Sequence, residues 1–479
     1  MTFACALYAV QAKVVLPKVL CSNMVLQQQS EVNLWGKAEP KAAIDVVVSW
    51  SDKTYRTTAD KNGHWQIKVM TPAASFVKQT VAISDGEVVE LDNILIGDVW
   101  ICAGQSNMEM PVKGFRSQPV ENSLHYILDA PSQRDRIRMF DVENFKSYDN
   151  EQWDCAGGSW RESSTESVAE TSAVAYFFAL NISRTINIPI GIITADWGGS
   201  RIEAWMPMSA LRDILTEEQI KAKHDLHPIL PTETYGGMIA PIRRFTARGF
   251  LWYQGEANLG YQSLDYLGDI DHYDVMMARM VEQWRADWGD EDCRMPFYYT
   301  MIAPYIYCDS ASDTTLPLFI ETQTRALSKI PNCGMATTSD LGEPTCIHPA
   351  KKYEVGERLA ALALSQTYGM KGFEARAPLY KSHTVEDGKI ILEFDNIVDG
   401  ITPWYDQPVK GFEIAGEDRV FYPAEASKWQ LKITVWSEQV KKPVAVRYMF
   451  HNFCEEGNVK NMFGVPLAPF RTDNWNDVK

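Results

Sequence analysis

The sequence predicts an α/β domain built on a parallel sheet, framed by a β-rich region on each side. Three observations carry that prediction. Between about 95 and 374, short apolar runs alternate with helical stretches, the pattern of a parallel sheet with helical crossovers. Over 13–94 and 375–479, short alternating runs recur with turn signals between them and no helical period. Four apolar runs of the middle region give way to small polar residues, and in open α/β sheets ligands bind beyond the carboxyl ends of the strands.

The opening segment, 1–12, is apolar over Thr2-Phe3-Ala4-Cys5-Ala6-Leu7-Tyr8-Ala9 and runs into Val10-Gln11-Ala12. Small residues there resemble a secretory cleavage site, although a basic n-region is missing. The segment reads as a signal-peptide remnant, with a first strand as the alternative, and a remnant implies a secreted or periplasmic protein. Residues 13–94 then hold runs such as Val32-Asn33-Leu34-Trp35 and Ile44-Asp45-Val46-Val47-Val48. Turn signals at Gly36, Glu39-Pro40, Asn62-Gly63 and Asp85-Gly86 separate them, and Asn62-Gly63 is a type I′ hairpin candidate. Strands this frequent suggest a small sandwich.

In the middle region a helix is expected from Tyr273 to Trp288. Met276, Met280, Trp284 and Trp288 recur there at i, i+4, with Asp271 as a cap. A second helix, Ser172 to Thr185, ends before Pro189 and feeds the strand Ile190-Gly191-Ile192-Ile193-Thr194-Ala195. Past 375, strands are expected at Lys389–Phe394, Trp429–Trp436 and Val444–Tyr448.

At 479 residues the chain has room for about three domains. Its hydrophobic content of 46% and charged content of 23% are those of an ordinary globular protein. Basic residues number 46 against 62 acidic ones, a net charge of −16, which argues against nucleic acid as a partner. No run approaches the roughly 18 apolar residues of a membrane span. The nine cysteines are scattered without a C-x-x-C pair, so neither a zinc site nor a disulfide framework is implied. One or two disulfides stay open for an exported protein.

The chemistry gathers at four strand ends. The first follows Asp98-Val99-Trp100-Ile101-Cys102-Ala103 and carries Gly104-Gln105-Ser106-Asn107-Met108, where a serine hydroxyl can face a substrate if a base serves it. The second is Asp196-Trp197-Gly198-Gly199-Ser200-Arg201, whose paired glycines let backbone N–H groups aim at an oxyanion, or simply form a tight turn. The third is Gln254-Gly255-Glu256-Ala257-Asn258, where an amide can donate to an oxyanion or cap a helix. The fourth brings Asp340 and then Glu343-Pro344-Thr345-Cys346-Ile347-His348-Pro349. The other seven histidines lie outside all four motifs, which singles out His348. Together the ends supply nucleophile, base, carboxylate and oxyanion donors. Met108 stands where an α/β-hydrolase elbow has its second glycine, so that fold is not expected.

These blocks resemble the sialate O-acetylesterase family, a branch of the SGNH (GDSL-like) hydrolases. Supporting matches include Met24-Val25-Leu26-Gln27, Tyr235-Gly236-Gly237-Met238-Ile239-Ala240-Pro241 and Pro469-Phe470-Arg471-Thr472-Asp473-Asn474-Trp475, so the resemblance covers nearly the whole chain. It implies a flavodoxin-like three-layer domain at 95–374 with β-sandwich-like accessories at 13–94 and 375–479. It also implies hydrolysis of acetyl esters on sugars, typically sialic acids, without metal or organic cofactor. By position, Ser106 would be the nucleophile and His348 the base, with the Ser106 and Gly199 N–H groups and the Asn258 side chain as oxyanion donors; Gln254 is the alternative amide. Thr345 stands where many SGNH enzymes have the aspartate, so Asp340, then Glu343, or a backbone carbonyl is expected to orient His348. Arg201 is a candidate to grip a sialate carboxylate, or else a partner of Glu203. Two rivals remain at this level: an acetylxylan-type esterase, and a carbohydrate-binding protein without chemistry.

Overall fold

The computed structural model describes residues 14–226, 228–259, 269–307, 310–403 and 407–475, with backbone only at 223–226 and 269–271. The segment read as a signal remnant lies outside the described residues.

A seven-strand path crosses the molecule in the order Cys333–Ala336, Phe297–Thr300, Gly249–Tyr253, Val88–Gly104, Ile190–Asp196, Ile137–Asp141 and Trp160–Glu162. Every neighbouring pair is parallel except the last. Setting aside the last two strands of the path, Ile137–Asp141 and Trp160–Glu162, the remaining five follow the flavodoxin-like order 2-1-3-4-5. Val99 to Ala103 are wholly buried, which is why this strand reads as one apolar run rather than an alternation.

Helices cover both faces of the sheet. Trp100 meets Phe178 of the helix Ala173–Ile186 edge-on, at 4.9 Å between ring centroids. Phe250 meets Trp284 of the helix Asp269–Asp287 at 5.6 Å. In the strand register Phe250 pairs with Ile101 and Gly249 with Trp100, so the two helices lie on opposite faces. The predicted stripe is inward, since Met276, Met280 and Trp284 are buried. Asp271 falls inside this helix rather than before it, because helical backbone already begins at Asp269. The helix Lys352–Gln366 packs against Ala173–Ile186, and a Cβ at Gly356 would come within 2.6 Å of Phe177 Cβ.

Val88–Gly104 is a 17-residue strand with two allegiances. Its first half pairs antiparallel with Ser75–Ser84, and its second half enters the central sheet. The expected boundary at 94/95 therefore cuts a continuous strand, and one hydrophobic core takes in residues from Val14 to Ala375 together with Ala468. Residues from Ile390 to Phe470 form a separate core. Two local expectations are corrected. Asn62-Gly63 turns the chain between Ser51–Thr58 and His64–Met70, which pair with other strands rather than with each other. Trp429–Trp436 is a hairpin, not one strand: Glu425–Trp429 and Lys432–Trp436 pair antiparallel around Gln430, at φ +53°.

Candidate active site

Ser106 opens a single helical turn, Ser106–Glu109, directly beyond the central strand. The strand leaves the sheet at Gly104, φ +150°, where a Cβ would sit 2.1 Å from the Tyr253 carbonyl oxygen, so the close approach requires glycine. The Gln105 N–H donates to that same carbonyl at 3.0 Å. Gln105 Oε1 in turn accepts from Gln254 Nε2 at 3.0 Å and from the Ala257 N–H at 3.1 Å, pinning the turn from below. Ser106 is left half-exposed on a fixed support.

His348 reaches it from the loop after Cys333–Ala336. Its Nε2 is 2.8 Å from Ser106 Oγ, and its Nδ1 is 2.8 Å from Gln118 Oε1. An amide oxygen only accepts, so Nδ1 carries the hydrogen and the Nε2 lone pair faces the serine hydroxyl. Phe115 packs edge-on against the imidazole, with centroids 5.2 Å apart. Burial, reinforced by the nearby charge of Lys352, holds His348 down to about 4. The ring is a neutral acceptor over most of the acid range.

Asp340 does not orient this histidine. Its carboxylate takes a forked contact from Arg358 at 2.7 and 2.9 Å and another from Lys460 at 2.6 Å. Burial opposes its charge, but Arg358 and Lys460 prevail and hold the carboxyl below its ordinary range. The group ties the His348 loop to the C-terminal region. Glu343 is engaged as well, accepting the Ala350 N–H at 2.8 Å. The place expected for a carboxylate belongs to Gln118.

The two candidate amides of the third strand end are also engaged elsewhere. Asn258 is fully buried; its Oδ1 accepts from the Ile202 N–H at 3.0 Å and from Gln254 Nε2 at 2.8 Å, and its Nδ2 donates to Glu203 at 3.0 Å. Gln254, equally buried, also contacts the Ser200 carbonyl and receives the Tyr273 hydroxyl at 2.7 Å. Neither is hydrogen-bonded to Ser106; both brace the turn that follows Gly199. Arg201 is only 6% exposed, with Nε 3.8 Å from Glu203 Oε2. It stands in the pairing considered as the alternative to a substrate contact. Gly199 itself is exposed at φ +72°, and no hydrogen bond among the described residues engages its N–H.

Several residues of the site escape sequence reasoning. Lys352, fully buried, donates to Asn107 Oδ1 at 2.5 Å. Asn107 Nδ2 donates to Glu256 Oε1 at 2.5 Å and to the Ile347 carbonyl at 3.0 Å. The neighbour of the serine is thereby bonded to the neighbour of the histidine. Burial pushes the Lys352 ammonium down to about 7 against the pull of Glu256, and burial raises Glu256. Asn107 had a visible signal, its place beside Ser106. Gln118 and Phe115 had none, lying in an irregular segment. Among the described residues no cluster of three His, Cys, Asp or Glu side chains could hold a metal ion, and the seven described cysteines are free.

The family model for carbohydrate esterase, sialic acid-specific acetylesterase, matches residues 96–365. The sialate O-acetylesterase of Homo sapiens is 26% identical over 395 residues, covering 75% of this chain and 72% of that protein. The sialate O-acetylesterase of Mus musculus is 26% identical over 432 residues, covering 78% and 77%. Among solved structures, a carbohydrate acetylesterase from Xanthomonas citri superposes with a TM-score of 0.85 at 33% identity, over 97% of this chain and 100% of that one.

Proposed function

The chain belongs to the sialic acid-specific acetylesterase family of carbohydrate esterases and is a carboxylic ester hydrolase that removes O-acetyl groups from sugars, and on that premise we propose that Ser106 is its nucleophile and His348 its base. The observation that carries this reading is the 2.8 Å contact between Ser106 Oγ and His348 Nε2, with the far ring nitrogen held by Gln118.

His348 takes the hydroxyl proton as Ser106 Oγ attacks the acetyl carbonyl. The oxyanion of the tetrahedral intermediate is received by the Ser106 and Gly199 N–H groups. Collapse breaks the bond to the sugar oxygen, which leaves with the proton from His348, and an acetyl-serine remains. Water then gives its proton to His348 and attacks the ester; His348 returns a proton to Ser106 as acetate departs. Gln118 acts through His348, holding the tautomer that can accept. A neutral amide stabilises the imidazolium less than a carboxylate does, which suits a base that burial already keeps deprotonated.

The substrate we propose is an O-acetylated sialic acid, supported by the family's description and by the relatives in human and mouse. One observation favours a second reading, an acetylxylan-type or other neutral-sugar esterase. The Xanthomonas protein, at higher identity over more of the chain, is described as a carbohydrate acetylesterase without reference to sialic acid. Acetate release from O-acetyl sialic acid and from acetylated xylan separates the two. Export to the periplasm or the medium belongs to the same proposal, supported by the apolar opening segment 1–12.

The test of the mechanism is Ser106→Ala. Acetate release from any O-acetylated sugar is expected to vanish while the thermal melt stays put. Retained turnover in that variant would contradict the assignment.

A further inference from the structure

We propose that Glu109 is a positioning residue that fixes the glycine turn Trp197–Ser200 over the nucleophile, so that the Gly199 N–H meets the oxyanion. The inference rests on the serine-esterase reading above and assigns a part to a side chain that reading leaves idle.

Glu109 lies three residues after Ser106, on the same single turn of helix. Its Oε2 accepts the Gly198 N–H at 2.6 Å, a short, charge-assisted geometry. Other bonds tie the turn as well: the Trp197 N–H donates to the Gly104 carbonyl at 3.0 Å, Ser200 Oγ to the Trp197 carbonyl at 2.7 Å, and Gln254 Nε2 and Trp205 Nε1 hold Ser200 from behind. Gly104 and Glu109 flank the serine in sequence, so the glycine turn is bonded to both sides of the nucleophile's own segment. Its approach is close. A Cβ at Gly198 would lie 3.4 Å from Ser106 Cβ and 2.9 Å from Glu109 Oε2.

The Gly198 N–H is thus occupied by Glu109, which leaves the Gly199 N–H as the turn's donor for a substrate. Gly199 sits at φ +72°, and a two-glycine turn carries little conformational preference of its own. Without the Glu109 contact the Gly198 peptide is free to rotate, and the next N–H swings with it. A donor displaced by about 1 Å can forfeit on the order of 100-fold in rate. The carboxyl is half-buried, and burial raises it against the pull of the Gly198 N–H. Asp196 ends the strand Ile190–Asp196 just before this turn, its Oδ2 shut off from solvent and without a hydrogen-bond partner among the described residues; burial, and then the charge of Glu109, push its carboxyl up.

Length and acceptor character, rather than charge, are what this role requires. Glu109→Asp keeps the charge but shortens the arm by one methylene; its kcat is expected to fall on the order of 100-fold, with KM within about threefold. Glu109→Gln keeps the reach and an accepting oxygen, and is expected to restore kcat to within about tenfold of wild type, the deficit reflecting the weaker neutral hydrogen bond. Both are measured on protein whose thermal melt shows it folded, alongside Ser106→Ala. Wild-type kcat in Glu109→Asp, or Glu109→Gln as slow as Glu109→Asp, overturns the positioning role while Ser106→Ala stays inert. An active Ser106→Ala instead removes the serine-esterase reading beneath it.

Discussion

Two strand ends of this molecule look alike in sequence and behave differently in structure. Gly104-Gln105-Ser106-Asn107 and Gln254-Gly255-Glu256-Ala257-Asn258 both follow apolar strands of the central sheet and both offer polar side chains at its carboxyl edge. At the first, Ser106 stays half-exposed and carries its bond to His348. At the second, Gln254 and Asn258 are fully buried, and their amides bond Gln105, Ser200, Ile202 and Glu203. The difference is one of accounting for donors. A buried amide must satisfy its hydrogen bonds within the protein, and once it has done so it serves as framework. A group left for substrate is one the fold does not saturate.

The sharpest way to break that comparison is Asn258→Ala. Truncation leaves the buried Ile202 N–H without its acceptor and takes one hydrogen bond from the Glu203 carboxylate. The expected loss is about 3 kcal/mol of stability, read as a lower denaturant midpoint. Turnover per folded molecule is expected to stay within about tenfold of wild type, far above the loss that follows removal of an oxyanion donor. A 100-fold fall in kcat with unchanged stability would return Asn258 to the oxyanion site.

A smaller effect separates the two groups flanking His348 in expectation and in fact. Gln118→Glu sets a carboxylate against Nδ1 and favours the imidazolium, so the histidine rises from about 4 by about one unit or more. In the proposed mechanism His348 works as a base only when neutral. The acid limb of kcat/KM, lost as pH falls through the histidine's value, therefore moves to higher pH in this variant. Asp340→Asn is expected to leave that limb in place. What it removes is stability, and its sign follows from the lowered carboxyl: the Arg358 and Lys460 contacts stabilise the fold above the ordinary aspartate range and fade as pH drops through the folded value. A limb that moves with Asp340→Asn and not with Gln118→Glu would contradict the placement of Gln118.

Much of the fold was legible because buried parallel strands must be apolar on both faces. Ile190–Asp196 and the helix Ala173–Ile186 stand within a residue or two of where the pattern places them. Trp429–Trp436 misled because a two-residue turn made of Gln430 and Leu431 carries none of the usual turn chemistry. The continuity of the core from the first β region into the α/β domain was not legible, since periodicity reports that a face is buried but not against what.

The site divides in the same way. Ser106 and His348 could be read from their places at strand ends. Gln118 could not, because only tertiary contacts bring its segment to the histidine: Phe115 against the ring, and the Glu121 N–H on the Ala350 carbonyl at 2.9 Å. Asp340 drew attention by its nearness to His348 in sequence. Its actual partners, Arg358 and Lys460, lie 18 and 120 residues further along, out of reach of any local motif.

The account turns on a covalent step at one oxygen, and that step can be caught. Wild-type enzyme quenched in acid during turnover of an O-acetylated sugar, then digested and analysed by mass spectrometry, is predicted to carry one acetyl group on the peptide holding Ser106. The same peptide from Ser106→Ala is predicted to carry none. An acetyl group on another side chain, or acetate formed at full rate with no acetylated peptide at any quench time, would contradict it.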